Sequence, residues 1–456
     1  MTQTPPYQVT DPATGEVVGT YPFATDVEVE QALAASTAAY EEWRSRPVAE
    51  RVAIVKRIAR LFAERADELG ALITTEMGKR PEDAAGEAAF CAEIFDYYAD
   101  QGPALLADQP LPGHPGGRIQ SVPIGPLLGV MPWNYPYYQV ARFAAPNLVA
   151  GNTVVLKHAE NCPTSAMAIA RLFADAGVPD GVYRNLFATH EQVAAMIADP
   201  RVRGVSLTGS ERAGTAVAET AGRHLKKVVL ELGGSDPYIV LDTEDVAVAA
   251  DLAWATRMSN MGQACNSNKR MIVMEDVYDE FVGALVERAA AMTPRTEADA
   301  DTEFSPMVSR KAAEALLAQV QDAVDKGATL HVGAELKENA WFTPAVLTGV
   351  VPGMRAYGEE LFGPVAVVYE VASDEEAVAL ANDVDFGLGA AVWSTDEERA
   401  VRVADRLEVG MANVNTPAGE GADVPFGGTK RSGFGRELGP LGIGEFVNRR
   451  LFYVQR

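Results

Sequence analysis

Between residues 151 and 236 the chain alternates between short apolar runs and longer segments with helical spacing. GNTVVLKHA reads as a strand, and CPTSAMAIARLFADAGVP as a helix closed by Gly177 and Pro179. RNLFAT, RGVSLTG and KVVLELGG read as further strands, separated by the helical EQVAAMIADP and ERAGTAVAETAGRHL. Strands this apolar need cover on both faces, and helices crossing between parallel strands provide it. The pattern therefore predicts an α/β, doubly wound, Rossmann-like sheet. After residue 236 the alternation resumes with DPYIVLD, a long helix, KRMIVME, more helices, FGPVAVVYEV, LGAAVWS and GMANVN. A second α/β lobe is expected to meet the first near residue 235. At 456 residues and 48% hydrophobic, the chain has material for two or three domains.

The flanks read differently. DPATGEVVGTYP suggests a hairpin, and from about Asp26 to Asp100 the apolar spacing becomes helical, with Val52, Ile54, Val55, Ile58, Leu61 and Phe62 on one broad face. GGRIQSVPIGPLLGVMPWNYP reads as extended segments punctuated by Pro and Gly, and the final EFVNRRLFYVQR is β-prone enough to add to another subunit's sheet.

Composition narrows the partners. With 63 acidic and 39 basic residues the formal charge is −24, which disfavours nucleic acid and anionic membranes. No stretch reads as a secretory signal or a membrane span. Cys91, Cys162 and Cys265 are too few for a disulfide framework, so a reducing cytoplasm is the simplest location.

Several residues are candidates for chemistry, each with a plainer alternative. In GVSLTGSERAG a strand runs through Gly209 and Ser210 into a helix, whose N-terminus suits a diphosphate; a tight turn explains it equally well. LKHAENCP places Lys157 and Glu160 at a strand's carboxyl end, where Glu160 can accept from ribose hydroxyls or simply face solvent. His158 and Cys162 lie nearby without further ligands, so no metal is expected. PWNYP holds Trp133 and Asn134; the amide can stabilise an oxyanion, or the turn can be structural. Glu231, at a strand end before two glycines, is a general base or a salt-bridge partner. Cys265, in MSNMGQACNSNKR, is a small buried hydrophobe or a nucleophile; its polar neighbours, with Lys269 and Arg270 following, favour the thiolate.

In order, PWNYP, LKHAE, TGSERAG, LELGG, GQAC, EELFGPV and PFGGTKRSGFGRELG resemble the NAD(P)-dependent aldehyde dehydrogenase superfamily over essentially the whole chain. LKHA and ELGGSDP are most similar to the short bacterial succinate-semialdehyde dehydrogenases. The resemblance implies that Cys265 attacks the aldehyde, that Asn134 and the Cys265 N–H hold the oxyanion, and that Glu231 activates water to hydrolyse the thioester. It implies Trp133, Lys157 and Glu160 on the adenosine side of the cofactor, Gly209 and Ser210 at the diphosphate, Leu232 beside the nicotinamide, and Glu360 and Phe362 at its ribose and ring. Glu160 predicts NAD over NADP, with Lys157 leaving NADP possible.

The same resemblance implies a cofactor domain over 1–109 and 126–232, a catalytic domain over 233–424, and a small β oligomerisation arm from 110–125 and 425–456, giving a homodimer or homotetramer. Arg142 matches an arginine that binds the distal carboxylate of succinate semialdehyde, the leading substrate. A second such position holds Ser259, and Glu420 and Asp423 near the tunnel would favour an amino-aldehyde if they line it. The alternatives are therefore an amino-aldehyde or aliphatic aldehyde dehydrogenase, a CoA-acylating enzyme, which Glu231 argues against, or a non-catalytic binding protein.

Overall fold

The computed structural model describes residues 7–292, 304–419 and 421–455. Five parallel strands make up most of the first sheet, in the spatial order Lys227–Glu231, Gly204–Thr208, Pro126–Val130, Thr153–Lys157 and Tyr183–Asn185. These are the apolar runs of the sequence, and Thr153–Lys157 and Gly204–Thr208 are buried at every position. The strand Pro126–Val130 comes first in the chain, and later strands are added on either side of it. Strand order thus reverses between Pro126–Val130 and Gly204–Thr208. At such a reversal the loops leaving the carboxyl ends diverge and open a crevice. Here those loops are PWNYP and TGSERAG.

Four helices, Asp26–Ser45, Val48–Glu64, Ala66–Met77 and Pro81–Leu105, form the amino-terminal part of this lobe. The apolar face read in the sequence is the buried one: Ile54, Val55, Ile58 and Phe62 are in the core, flanked by half-buried Val52 and Leu61. Thr25 and Glu28 form a reciprocal cap at the first helix, supplying acceptors to N–H groups the helix leaves open. The expected hairpin pairs Tyr7–Thr10 with Val17–Tyr21.

The second sheet runs Thr329–Val332, Ala345–Thr348, Val365–Val371, Arg270–Met274, Pro237–Val240, Gly389–Trp393 and Met411–Val414, all parallel except the first, antiparallel pair. Thr329–Val332 and Ala345–Thr348 fall where the sequence reads as helical. Thr329–Val332 is an edge strand with alternating exposure, and nothing in its apolar pattern distinguishes it from a loop. Strand Lys227–Glu231 ends, and after residues 232–236 strand Pro237–Val240 begins. The carboxyl edge of the first sheet therefore faces the amino edge of the second, and the cleft lies between them.

A third sheet pairs Val447–Tyr453 antiparallel with Gly117–Pro123, which also pairs with Gln109–Pro110. Of residues 425–456, only this final strand lies in that sheet. Gly433–Phe434 instead returns to the first sheet, antiparallel to Leu230 and Glu231, and Thr429–Lys430 pairs with Phe386–Gly387. Among the described residues no helix is long and apolar enough to cross a membrane.

Candidate active site

Helix Val246–Met258 gives way to a turn, Ser259–Gly262, in which Asn260 (φ 49°), Met261 (φ 52°) and Gly262 (φ 69°) are all left-handed. That conformation costs a non-glycine residue about 1–2 kcal/mol, so neighbours must impose it. Arg257, fully buried, supplies much of that restraint. Its guanidinium donates to Gly262 O (3.2 Å) and Ser267 Oγ (2.6 Å), and to the carbonyls of Leu361, Gly363 and Val365. Gln263 adds bonds to Asn260 O (3.1 Å) and from Val308 N–H (2.9 Å). The turn delivers Cys265, half-buried, into the wall of a cleft of about 500 Å³. Cys91 and Cys162 are buried.

Burial pushes the Cys265 thiol up to about 11, against the pull of Arg142 and Lys269. The resting sulfur therefore keeps its proton at neutral pH, and two cations stand ready to favour the thiolate.

Asn134 is buried and tied to the same loop. Its Nδ2 donates to Gln263 O (3.1 Å), and Asn260 Nδ2 donates to Asn134 O (3.0 Å). The amide is thus fixed within two residues of the sulfur-bearing position. Glu231 is 1% exposed, and neither carboxylate oxygen has a hydrogen-bond partner. Burial raises its carboxyl well above the usual range; Arg142 pulls it back, and Glu437 pushes it further. An unbonded buried carboxyl of this kind is a proton acceptor waiting for a donor.

Arg142 stands differently from the expectation that it binds a substrate carboxylate. Its side chain is fully buried, ion-paired to Glu437, with Nη2 donating to Thr208 Oγ1 (3.1 Å). It lies one layer behind the cleft wall, stacked 5.0 Å from the Tyr138 ring and 4.5 Å from the Phe426 ring, which do line the cleft. Nη1 has no hydrogen-bond partner. Glu437 is held from its other oxygen by Ser206 Oγ (3.1 Å). Ser259 lines the cleft. Asp423 is exposed and is not among the residues lining the cleft, while Glu420 lies outside the described residues.

The cofactor candidates gather along the crevice of the first sheet. Lys157 Nζ meets Glu160 Oε1 at 2.5 Å, and His190 Nε2 lies 3.4 Å from the same oxygen. Burial alone would raise the Glu160 carboxyl, but Lys157 outweighs it and holds the carboxyl below its ordinary value. Ser210 caps helix Glu211–Arg223, and a Cβ on Gly209 would touch only Leu207, at 3.7 Å, so the helix mouth is open. Leu232 is buried against Gly214. Glu360 accepts from Gly234 N–H (3.1 Å) and pairs with Lys269. Trp133, expected on the adenosine side, packs edge-to-face on Phe362 at 5.6 Å. The double glycine of LELGG is required by proximity: a Cβ on Gly233 would lie 2.4 Å from Glu360 Oε2, and one on Gly234 2.5 Å from Cys265 O. An open helix mouth, a paired Lys–Glu for hydroxyls and a carboxylate beside an aromatic ring together fit a dinucleotide.

His158 is structural. Its Nε2 contacts Pro136 O at 2.9 Å and its Nδ1 accepts from Ala159 N–H, and burial lowers its titration to about 4. Among the described residues no three metal-ligating side chains converge.

Four groups escaped the sequence reading. Arg257 and Glu437 carry no local signal, although Glu437 sits inside PFGGTKRSGFGRELG. Lys79 and Glu87 form a buried ion pair in the cleft wall, and Glu87 Oε1 accepts the N–H groups of Tyr137 (2.8 Å) and Tyr138 (3.1 Å). That pair anchors the turn after Asn134.

A family model described as "Aldehyde dehydrogenase family" matches residues 1–451. A Deinococcus radiodurans protein named as an NADP(+) succinate-semialdehyde dehydrogenase is 55% identical over 449 residues, 98% of this chain and 94% of that one. A Mycobacterium tuberculosis protein of the same name, numbered 1, is 41% identical over 455 residues, 98% and 100% of the two chains. Among solved structures, the succinic semialdehyde dehydrogenase of Streptococcus pyogenes, in complex with NADP+, superposes with a TM-score of 0.95 at 39% identity, covering 99% of this chain and 100% of that one. The succinate-semialdehyde dehydrogenase of Burkholderia pseudomallei gives 0.94 at 37%, covering 98% and 94%.

Proposed function

Because this chain belongs to the aldehyde dehydrogenase family, we propose that it oxidises succinate semialdehyde to succinate through a covalent intermediate on Cys265. The protein is an NAD(P)-dependent oxidoreductase acting on small-molecule aldehydes. The observation that carries the mechanism is that Cys265, alone of the three cysteines, opens into the cleft between the lobes.

Loss of the thiol proton to solvent water lets Cys265 Sγ bond to the aldehyde carbon as the carbonyl π pair moves to oxygen, leaving an oxyanion. Asn134 Nδ2 and the Cys265 N–H are the donors for that charge; Asn134 must exchange its bond to Gln263 O for one to the oxyanion. The bound dinucleotide supplies the hydride acceptor for this carbon. Gly209, Ser210, Lys157 and Glu160 would hold its adenosine and diphosphate, and Glu360 and Phe362 its nicotinamide end. What remains on sulfur is a thioester. Glu231 takes the proton from a water that attacks it, the carbon–sulfur bond breaks, and the acid leaves. The expected result of Cys265→Ser is complete loss of oxidation with dinucleotide binding retained; oxidation surviving that change removes the mechanism.

The substrate reading rests on the named relatives, and the positive charge of Arg142 behind Tyr138 and Phe426 supports it, with Nη1 still free to donate. The exposure of Asp423 removes its share of the argument for an amino-aldehyde. A panel of semialdehydes, amino-aldehydes and aliphatic aldehydes tests it; a higher kcat/KM for either of the latter groups overturns it, and product analysis with and without CoA excludes or reveals acylation.

For the dinucleotide we favour NADP over the NAD expected from Glu160 alone. Lys157 and His190 both crowd the Glu160 carboxylate, leaving less free negative charge to repel a 2′-phosphate. The NADP(+) names of the relatives point the same way. Kinetics with both dinucleotides decides it, and a higher kcat/KM with NAD refutes it. We also propose that strand Val447–Tyr453, at the sheet edge with Leu451 and Tyr453 exposed, pairs copies into a homodimer or homotetramer, readable by light scattering. The three free cysteines suit a reducing cytoplasm.

A further inference from the structure

The nucleophile loop and the carboxylate expected to hold the dinucleotide share one buried ammonium. Lys269 is 1% exposed. Its three N–H bonds have three acceptors: Ala264 O at 2.7 Å, Cys265 O at 2.7 Å and Glu360 Oε1 at 3.0 Å. The first two are the carbonyls of Cys265 and of the residue before it. The third oxygen also receives the Gly234 N–H, and the ammonium lies 5.9 Å from the Phe362 ring centre. Neutralising a buried lysine takes one carboxylate; spending the other two bonds on the nucleophile's own backbone ties two functional groups together.

Building on the reading of Cys265 as nucleophile and Glu360 as a cofactor ligand, we propose that Lys269 is a positioning residue that couples them, so that occupation of the dinucleotide site and arming of the thiol are one linked event.

The surrounding charges make the coupling directional. The thiol faces Arg142 and Lys269, which favour the thiolate, and Glu360 and Asp236, which oppose it. Tyr135 and Tyr138, both kept protonated by burial, also lie near the thiol, and Lys79, Glu82, Asp83 and Glu87 line the same cleft. Arg142 is committed to Glu437, so its influence is fixed. Lys269 is divided: Glu360 claims part of its charge, and Asp236, buried and pushed up to about 7, is also drawn down by it. When Glu360 turns toward the ribose hydroxyls, the ammonium keeps its bonds to Ala264 and Cys265, and its charge acts more fully on the sulfur.

The test measures the rate of iodoacetamide alkylation against pH, with the labelled residue located by peptide mass, alongside NADP affinity by tryptophan fluorescence. Glu360→Gln removes a charge that opposes the thiolate and releases the ammonium, so its alkylation midpoint should fall below that of the unchanged protein. Lys269→Met should raise the midpoint by about one pH unit. It should also weaken NADP binding on the order of tenfold, and that loss should vanish when Glu360→Gln is already present. An unchanged midpoint in Glu360→Gln, or an equal NADP penalty for Lys269→Met in both backgrounds, overturns the coupling while leaving the nucleophile reading intact. Label on a cysteine other than Cys265 overturns both. Should Lys269→Met not fold, the Glu360→Gln midpoint decides alone, since that side chain reaches solvent.

Discussion

Glu231→Gln removes a base and almost nothing else. The carboxyl is 1% exposed and neither oxygen accepts a hydrogen bond, so an amide of the same size opens no cavity and breaks no bond. The stability change at neutral pH should stay within about 1 kcal/mol, far below the 3–5 kcal/mol of breaking a buried pair. Its sign is also set. A carboxyl whose folded pKa is raised gives its full stability only below its unfolded value, and loses that contribution as pH climbs through the folded one. Above the ordinary carboxylate range the variant should therefore hold its stability better than the parent. Activity should behave oppositely. A positioned general base contributes about 10²–10⁴ in rate, or about 3–5 kcal/mol of barrier. Because the base acts after hydride leaves, rapid mixing should show a burst of about one reduced dinucleotide per chain, then near-arrest, with an acyl adduct on Cys265 by intact mass. The limb of the pH–rate profile that rises as Glu231 loses its proton should disappear. Steady turnover above about a tenth of the parent rate, or loss of the burst itself, refutes the assignment of Glu231 to hydrolysis.

Arg142→Leu leaves Glu437 buried without its cation, so thermal unfolding should show a loss of about 3–5 kcal/mol, and KM for succinate semialdehyde should rise more than KM for an uncharged aldehyde. Glu87→Gln strands the Lys79 ammonium and weakens the anchor of the turn after Asn134; chemical denaturation should register a loss of about 2–4 kcal/mol. Gly233→Ala places a Cβ 2.4 Å from Glu360 Oε2, so KM for the dinucleotide should climb on the order of tenfold while the melting temperature moves little.

Much of this architecture is written in local pattern. Apolar runs such as TVVLK and GVSLT are strands because both their faces are covered, and the lobes meet where a charged residue, Glu231, ends one run and two glycines follow. Cys265, Glu231 and Asn134 each lie in a short motif that alone left a structural reading open, and the resemblance of the motifs in order is what singled them out together. The partners of those residues were not singled out in this way. Glu437 reaches Arg142 only when the chain folds back after the second lobe, and Glu360 reaches Lys269 from the loop after Arg355–Gly358. Spacing along a chain carries no signal for such meetings. Lys269 could be noticed as a charge beside a cysteine, but not as a bridge. The same limit applies to Arg142: the resemblance gave it a substrate carboxylate, while its buried counter-ion Glu437 had no signal in the sequence.

The return of Gly433–Phe434 to the first sheet makes that lobe depend on residues about two hundred positions further along the chain. Gly433 (φ 108°) packs so closely on Leu230 that any Cβ there would lie 2.0 Å from its carbonyl oxygen. This strand, and Glu437 just beyond it, come after Glu231 and Cys265 in the chain. A chain lacking them still carries Cys265, Glu231 and the turn at Gly209 and Ser210. Its strand Lys227–Glu231 has an open edge, however, and its buried arginine has no counter-ion. The first lobe thus depends on a short return strand outside its own run of alternating strands and helices, and a chain cut before Gly433 should lose a sheet edge and a buried ion pair together.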